Sequence, residues 1–243
     1  MQFSVKTDKG PVRENNQDYF DCGETNGLSW AIVCDGMGGV NGGQVASQLC
    51  VEIVGERLKA NLRSNMNYTS VRNLLESSIQ AANAAILAKG GSDSGLRGMG
   101  TTVVAAVVNS GVAVLAHAGD SRIYKLSEEG IVQLTKDHSV VQMLIDNGDL
   151  APELALSHPD RNVITRAVGV SDTIDVDVDI ADIWDGDTLL LCTDGLTGCV
   201  SDKDILSVVN NCDFSISAKN LVDLAIDNGT ADNVTAVLMT NND

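Results

Sequence analysis

Four times in this sequence an aspartate sits at the edge of an apolar run, with a small or amide residue behind it. The runs read WAIVC-Asp35-Gly36, VLAHAG-Asp120-Ser121 and TLLLCT-Asp194-Gly195, and Ala231-Asp232-Asn233 leads into VTAVLM. Apolar runs this short, bounded by turn chemistry, are expected to be buried strands. Strand ends of one sheet face lie together, so the four carboxylates can converge at one edge. A small neighbour lets the backbone turn tightly or lets a ligand approach the main chain. Asp-Gly and Asp-Asn are also ordinary turn pairs, and any one of these sites taken alone reads that way. Four together, each abutting a buried strand, point to a shared locus. Carboxylates crowded there without Lys or Arg repel one another unless cations neutralise them, and hard oxygen ligands favour Mg²⁺ or Mn²⁺ over zinc.

The remaining patterns supply the frame. Residues 28–34 form an apolar run closed by Asp35-Gly36 as a turn. A helix is expected over 44–58, where Val45, Leu49, Ile53 and Val54 recur at helical spacing, and a second over 69–87, with Val71, Leu74, Leu75, Ile79, Ala82 and Ile86 on one face. Residues 101–108, 111–120 and 121–126 read as successive antiparallel strands, the first two divided by Asn109-Ser110-Gly111. Ile174, Val176, Val178 and Ile180 alternate with Asp175, Asp177 and Asp179, the mark of a half-buried strand. Residues 187–192 form another buried strand. Ser201 to Asp204 make a capping box that opens a helix running to 209. Ser217 is expected to cap a helix ending near Asn228-Gly229, and 234–240 is a final strand. Strands in two batches, with helices between and after them, imply packed antiparallel sheets under helical cover, an α+β layered domain.

Several classes of function are excluded. Lys plus Arg number 16 against 33 Asp plus Glu, a net charge of −17. A nucleic-acid binder needs a basic footprint to neutralise phosphates, so none is expected as partner. No apolar run approaches the ~20 residues of a membrane span, and the N-terminal stretch lacks the apolar core of a signal peptide. The six cysteines form no CxxC pair and read as small core hydrophobes of a cytoplasmic protein. With 243 residues, few prolines and no internal repeat, residues 1–243 are expected to be one domain. Two decoys fall away. Asp175-Val-Asp177-Val-Asp179 begins like a calcium loop but has Ile180 where the glycine belongs and Gly186 where the glutamate belongs. GMGGVNGG at 36–43 invites a phosphate-loop reading, but no Gly-Lys-Ser/Thr follows and GxGxxG fails at Asn41.

The motifs GPVRENNQD (10–18), CDGMGG (34–39), GMGTT (98–102), AGDSR (118–122), LTKDHS (134–139), TRAVG (165–169), CTDGL (192–196) and ADNVT (231–235) occur in the order characteristic of the metal-dependent Ser/Thr protein phosphatases. The chain thus resembles that family, PPM or type 2C, in its short bacterial form, from about residue 10 to 240. One departure is Gln17, where many eukaryotic members have Glu. The resemblance implies a four-layer α-β-β-α fold, a central antiparallel β-sandwich flanked by helices, with a binuclear metal centre at one end. It implies two tightly held Mn²⁺ or Mg²⁺ ions and a third, weaker one. Asp35 would bridge the two tight ions, the Gly36 carbonyl would complete one site, and Asp194 and Asp232 the other. Asp18 would hold metal-bound waters, Asp120 with Asp194 would bind the third cation, and Arg13 would grip the substrate phosphate. Residues 137–164 match a mobile flap.

These roles agree with what phosphoester hydrolysis requires. Two nearby cations lower the pKa of a water and offset phosphoryl charge. Arg13 offers the planar fork suited to phosphate oxygens. His138 and His158 titrate in the range useful for protonating a leaving oxygen, but each reads better as a structural histidine and neither is taken as catalytic. The expectation is a monomeric cytoplasmic phosphatase acting on phosphoSer and phosphoThr proteins, among them a cognate kinase. A silent phosphatase-fold binding module and a small-phosphoester hydrolase are the rival readings.

Overall fold

The computed structural model describes residues 1–240. In chain order its strands are β1 (Gln2–Asp8), β2 (Asp18–Thr25), β3 (Leu28–Met37), β4 (Gly100–Thr101), β5 (Val103–Asn109) and β6 (Val112–Ala118). They continue with β7 (Arg122–Ser127), β8 (Gly130–Gln133), β9 (Asp177–Asp182), β10 (Thr188–Cys192) and β11 (Val234–Thr240). The helices are α1 (Gly39–Asn61), α2 (Tyr68–Ser92), α3 (Val140–Asp146), α4 (Asp194–Thr197), α5 (Asp202–Asn210) and α6 (Phe214–Asp227).

Among the described residues the strands make two sheets. One has the order β1-β11-β10-β7-β8, the other β2-β3-β5-β6-β9 with β4 paired to the end of β3. The strands form antiparallel ladders. Side-chain alternation explains why the two sheets stack. In β3, Leu28, Trp30, Ile32 and Cys34 face a core shared with α1 and α2. Ala31 and Val33, on the opposite face, meet Leu189, Leu191, Val237 and Met239 of the other sheet. On the outer face of that sheet, Leu190, Ala236 and Leu238 pack against Ile205, Leu221, Val222 and Ala225 of α5 and α6. Strands buried on both faces read as unbroken apolar runs, which is how β3, β10 and β11 announce themselves. The layers are α-β-β-α, as the family resemblance implied.

Antiparallel pairing also decides where the loops gather. β2, β5 and β11 begin at the end of the sandwich where β1, β3, β6 and β10 finish. Asp18, Asp35, Asp120, Asp194 and Asp232 all lie at that end.

The structure corrects several local expectations. Asp35-Gly36 is not a turn: β3 runs through it to Met37, with Asp35 opposite Asp18 and Gly36 opposite Thr101. β6 and β7 are not neighbours. Gly119-Asp120-Ser121 carries the chain from one sheet to the other. α1 starts at Gly39, ahead of the expected 44, because glycines carry no apolar pattern that would reveal a helix. β9 is displaced toward the C-terminus from the expected 174–180. Ile174 is buried, but Ile180 is 55% exposed because β9 is the edge strand of its sheet. Ser217 does not cap α6. It is buried inside that helix, where its hydroxyl donates back to the Asp213 carbonyl at 3.4 Å, and Asp213 is the capping position. Ser201 does cap α5, accepting from the Asp204 amide at 3.3 Å.

Between β8 and β9, α3 and a 3-10 turn at Pro152–Ser157 form an excursion. Its ends are tied together by the Val140 amide to the Val163 carbonyl at 2.8 Å and by a Ser139–Ile164 bridge. Among the described residues no helix is long and apolar enough to cross a membrane.

Candidate metal centre

Each carboxylate is delivered by a strand terminus. Asp18 opens β2 directly opposite Asp35. Asp120 lies in the crossover after β6, Asp194 follows β10 as the first residue of α4, and Asp232 precedes β11. Asp35, Gly36, Asp120, Asp194, Asp232 and Arg13 line one cavity of about 310 Å³. Asp18 lies beneath it, 4% exposed. The structure therefore brings together every residue that the sequence nominated for the site.

Hydroxyls hold the buried layer. Asp18 Oδ2 accepts from Thr235 at 2.7 Å and from Thr193 at 2.9 Å. The Asp35 amide donates to Thr102 Oγ1 at 2.9 Å, and Thr102 Oγ1 in turn pairs with Ser121 Oγ at 2.7 Å. Asn233 knits the 9–17 loop to the head of β11. Its Nδ2 donates to the carbonyls of Lys9 and Asn15 at 2.9 and 3.0 Å, and its Oδ1 accepts from the Gln17 amide at 2.8 Å. The sequence reading assigned Thr102, Ser121, Thr193, Asn233 and Thr235 no function, although all five lie inside the quoted motifs. The available signal was that position and nothing more.

The glycines of the 36–43 segment serve close packing. A Cβ at Gly36 would collide with the Gly43 carbonyl and stand 2.6 Å from the Gln17 carbonyl oxygen. A Cβ at Gly43 would come 2.6 Å from the Gly36 oxygen. The first turn of α1 thus lies directly on the end of β3.

The electrostatics of this end are unfavourable to bare carboxylates. Burial pushes the Asp35 carboxyl well above its ordinary value, and the nearby Asp18, Asp194 and Asp120 push it further. Asp194 is raised by burial and by Asp232. Asp18 is pushed up to about 7, chiefly by burial, against the lowering effect of its two threonines. Asp120 is likewise pushed up to about 7, by burial and then by Asp194. Two carboxylate oxygens, Asp18 Oδ1 and Asp194 Oδ1, are buried with no hydrogen-bond partner. Buried polar atoms are normally satisfied, so orphaned oxygens on converging carboxylates fit a site for hard divalent cations.

Arg13 is the cation at the mouth. Its Nη2 donates to Asp232 Oδ2 at 2.7 Å, and its side chain is 53% exposed. Arg122, two residues beyond Asp120, is committed elsewhere: it grips Asp137 through Nε and Nη2 at 2.7–3.1 Å. Asn162 and Ile164, from the far end of the excursion, border the cavity. Neither histidine weighed as a proton donor lines it. His158 Nδ1 accepts from the Asp160 amide at 3.1 Å, and His138 is buried, held by the backbone and side-chain partners described below.

A family model described as protein phosphatase 2C matches residues 12–238. The chain is 34% identical over 244 residues to the serine/threonine phosphatase stp of Listeria innocua, covering 100% of this chain and 96% of the relative. It is 37% identical over 246 residues to protein phosphatase PhpP of Streptococcus pneumoniae, covering 100% and 98%. Among solved structures, the serine/threonine phosphatase Stp1 from Staphylococcus aureus superposes with a TM-score of 0.93 at 32% identity, covering 100% of this chain and 95% of that one. The catalytic domain of the phosphatase PstP, solved in complex with two manganese ions, superposes with a TM-score of 0.86 at 34% identity, covering 98% and 96%.

Proposed function

This chain belongs to the protein phosphatase 2C family, the metal-dependent Ser/Thr protein phosphatases, and on that premise we propose how its own residues carry the hydrolysis. Asp35, at the centre of the cluster, would be the carboxylate shared between two cations. The Gly36 carbonyl would serve one of them, and Asp194 and Asp232 the other. Asp18 stands behind them, its orientation set by Thr193 and Thr235. The observation that carries this reading is the pair of orphaned buried oxygens on Asp18 and Asp194 within a set of converging carboxylates. When bound, a cation pair supplies a more acidic water and offsets phosphoryl charge.

The protein groups do the rest by binding and orientation. Only one Arg13 nitrogen is engaged by Asp232, so the remaining donors of its planar fork are available to phosphate oxygens at the cavity mouth. Asp120, beside Asp194, is assigned to a third and weaker cation. The 137–164 excursion acts as a flap within the single catalytic domain 1–243, supported by Asn162 and Ile164 at the cavity rim. The substrates are phosphoSer and phosphoThr proteins, among them a cognate kinase. Cys34, Cys50 and Cys192, buried as small apolar residues, suit a reducing compartment, and we place the activity in the cytoplasm.

The test is hydrolysis of phosphoSer, phosphoThr and phosphoTyr peptides by metal-stripped protein with Mn²⁺, Mg²⁺ or chelator. Activity on the first two that is lost with chelator and restored by Mn²⁺ or Mg²⁺ is expected. Full activity without metal contradicts the assignment.

A further inference from the structure

Beyond the carboxylates, His117, His138 and Asp177 bring ligand atoms within 4.8 Å of one another. They do not suit a metal. The two imidazoles are stacked, centroids 4.5 Å apart with planes 13° from parallel, so their in-plane lone pairs run side by side and do not converge. His117 Nε2 is hydrogen-bonded to the Lys136 carbonyl at 2.9 Å, and the Arg166 guanidinium lies 3.1 Å from His138 Nε2.

The network has a different geometry. The Gly119 amide donates to His138 Nδ1 at 3.2 Å, which leaves Nδ1 unprotonated and puts the ring proton on Nε2, facing Asp177 Oδ2 at 3.2 Å. Asp177 Oδ1 accepts from Arg166 at 2.7 Å. The His138 backbone completes the clamp: its amide donates to the Gly119 carbonyl at 2.9 Å, and its carbonyl accepts from Thr165 at 2.7 Å. Gly119 has φ +118°, and a Cβ there would stand 2.6 Å from Thr102 Cγ2, so this turn has one geometry to keep. The next residue is Asp120. The turn is bracketed on its other side by the Ser121–Thr102 hydroxyl pair. Residues 139–164 leave from His138 and return at Thr165.

We propose that His138 is a positioning residue: its Nδ1 contact with Gly119 fixes the turn that presents Asp120, and its link through Asp177 to Arg166 ties that turn to the root of the 137–164 excursion. The inference rests on the reading of Asp120 as a cation ligand. Its consequence is that the weaker cation site and the flap root are one hydrogen-bonded unit.

The amide variants separate the two ring nitrogens. His138→Asn places an acceptor where Nδ1 stood and keeps the Gly119 contact. His138→Gln reaches toward Asp177 but abandons Gly119. The measurement is the Mn²⁺ concentration giving half-maximal phosphopeptide hydrolysis, with kcat and a melting curve for each variant, beside Asp120→Ala. His138→Gln is expected to raise the Mn²⁺ requirement roughly tenfold, the equivalent of one hydrogen bond, while His138→Asn, which loses only the Asp177 link, raises it by a clearly smaller factor. A merely structural role lowers the melting temperature of both without separating their Mn²⁺ curves, and that result overturns the proposal. So does a wild-type requirement in His138→Gln while Asp120→Ala is impaired. An unimpaired Asp120→Ala overturns the reading of Asp120 itself, and the proposal with it. Should His138→Gln not fold, Asp177→Ala, at a half-exposed position, provides the second test. It should raise the Mn²⁺ requirement by a smaller factor, and no rise contradicts the tie.

Discussion

At the scale of single residues, the site is a set of like charges held together by their strands, and each side chain's contribution follows from what it touches. Arg13 sits half in solvent with one nitrogen on Asp232. If it grips phosphate equally in the ground and transition states, Arg13→Ala raises KM and leaves kcat nearly unchanged. Loss of one charge-assisted hydrogen bond corresponds to a change on the order of 10- to 100-fold. Steady-state kinetics on a phosphopeptide check it, and an unchanged KM places Arg13 elsewhere. Asp120 occupies a crossover, apart from the Asp18–Asp35 pairing. Asp120→Ala is therefore expected to keep the fold and both tight cations while losing most activity on phosphopeptides. Calorimetric metal stoichiometry beside kinetics separates that outcome from loss of the tight ions.

At the scale of elements, the meeting of β3 and α1 sets the floor of the cavity. The Gly36–Gly43 approach leaves no room for a methyl group, so Gly36→Ala should cost about 1–3 kcal/mol through overpacking. Gly91, in the last turn of α2, has nothing within 4 Å of its would-be Cβ. Gly91→Ala should leave stability unchanged or raise it by up to about 1 kcal/mol. Urea unfolding of the two variants checks the contrast, and equal effects refute the packing argument. The same elements show what a sequence reveals. β10 and β11 were legible because burial on both faces writes an unbroken apolar run, and α5 because Ser201 and Asp204 stand at capping distance. The end of β3 was not. Asp-Gly is turn chemistry in isolation, and only its partners Asp18 and Thr101 keep it in strand conformation. The sheet switch at Gly119–Ser121 was hidden for a similar reason, since a short link between two apolar runs looks the same whether it makes a hairpin or a crossover. The carboxylates were legible because each abuts its own strand. Thr193 and Thr235 were not, because they reach Asp18 across sequence separations of 175 and 217 residues, which leave no local pattern.

At the scale of the whole molecule, the sandwich gathers carboxylates at one end of a protein that already carries a net charge of −17. Without cations that end opposes folding as its carboxyls ionise. Asp18 and Asp120 rise from 3.8 to about 7 on folding, so between those values the folded chain binds more protons than the unfolded one. Stability of the metal-free protein at this site is therefore greatest below about pH 4 and falls as the pH rises through about 7. Divalent cations remove that penalty by binding the ionised form, so Mn²⁺ should raise the melting temperature more at pH 7.5 than at pH 5.5. Differential scanning calorimetry at the two pH values, with and without Mn²⁺, tests the sign. The most direct test of the central claim, that these carboxylates are the cation site of the hydrolysis, is anomalous scattering from a crystal soaked in Mn²⁺. The account predicts two strong peaks within ligand distance of Asp35, one also at the Gly36 carbonyl and the other at Asp194 and Asp232. Peaks absent from this cavity, or found instead between His117, His138 and Asp177, would contradict it.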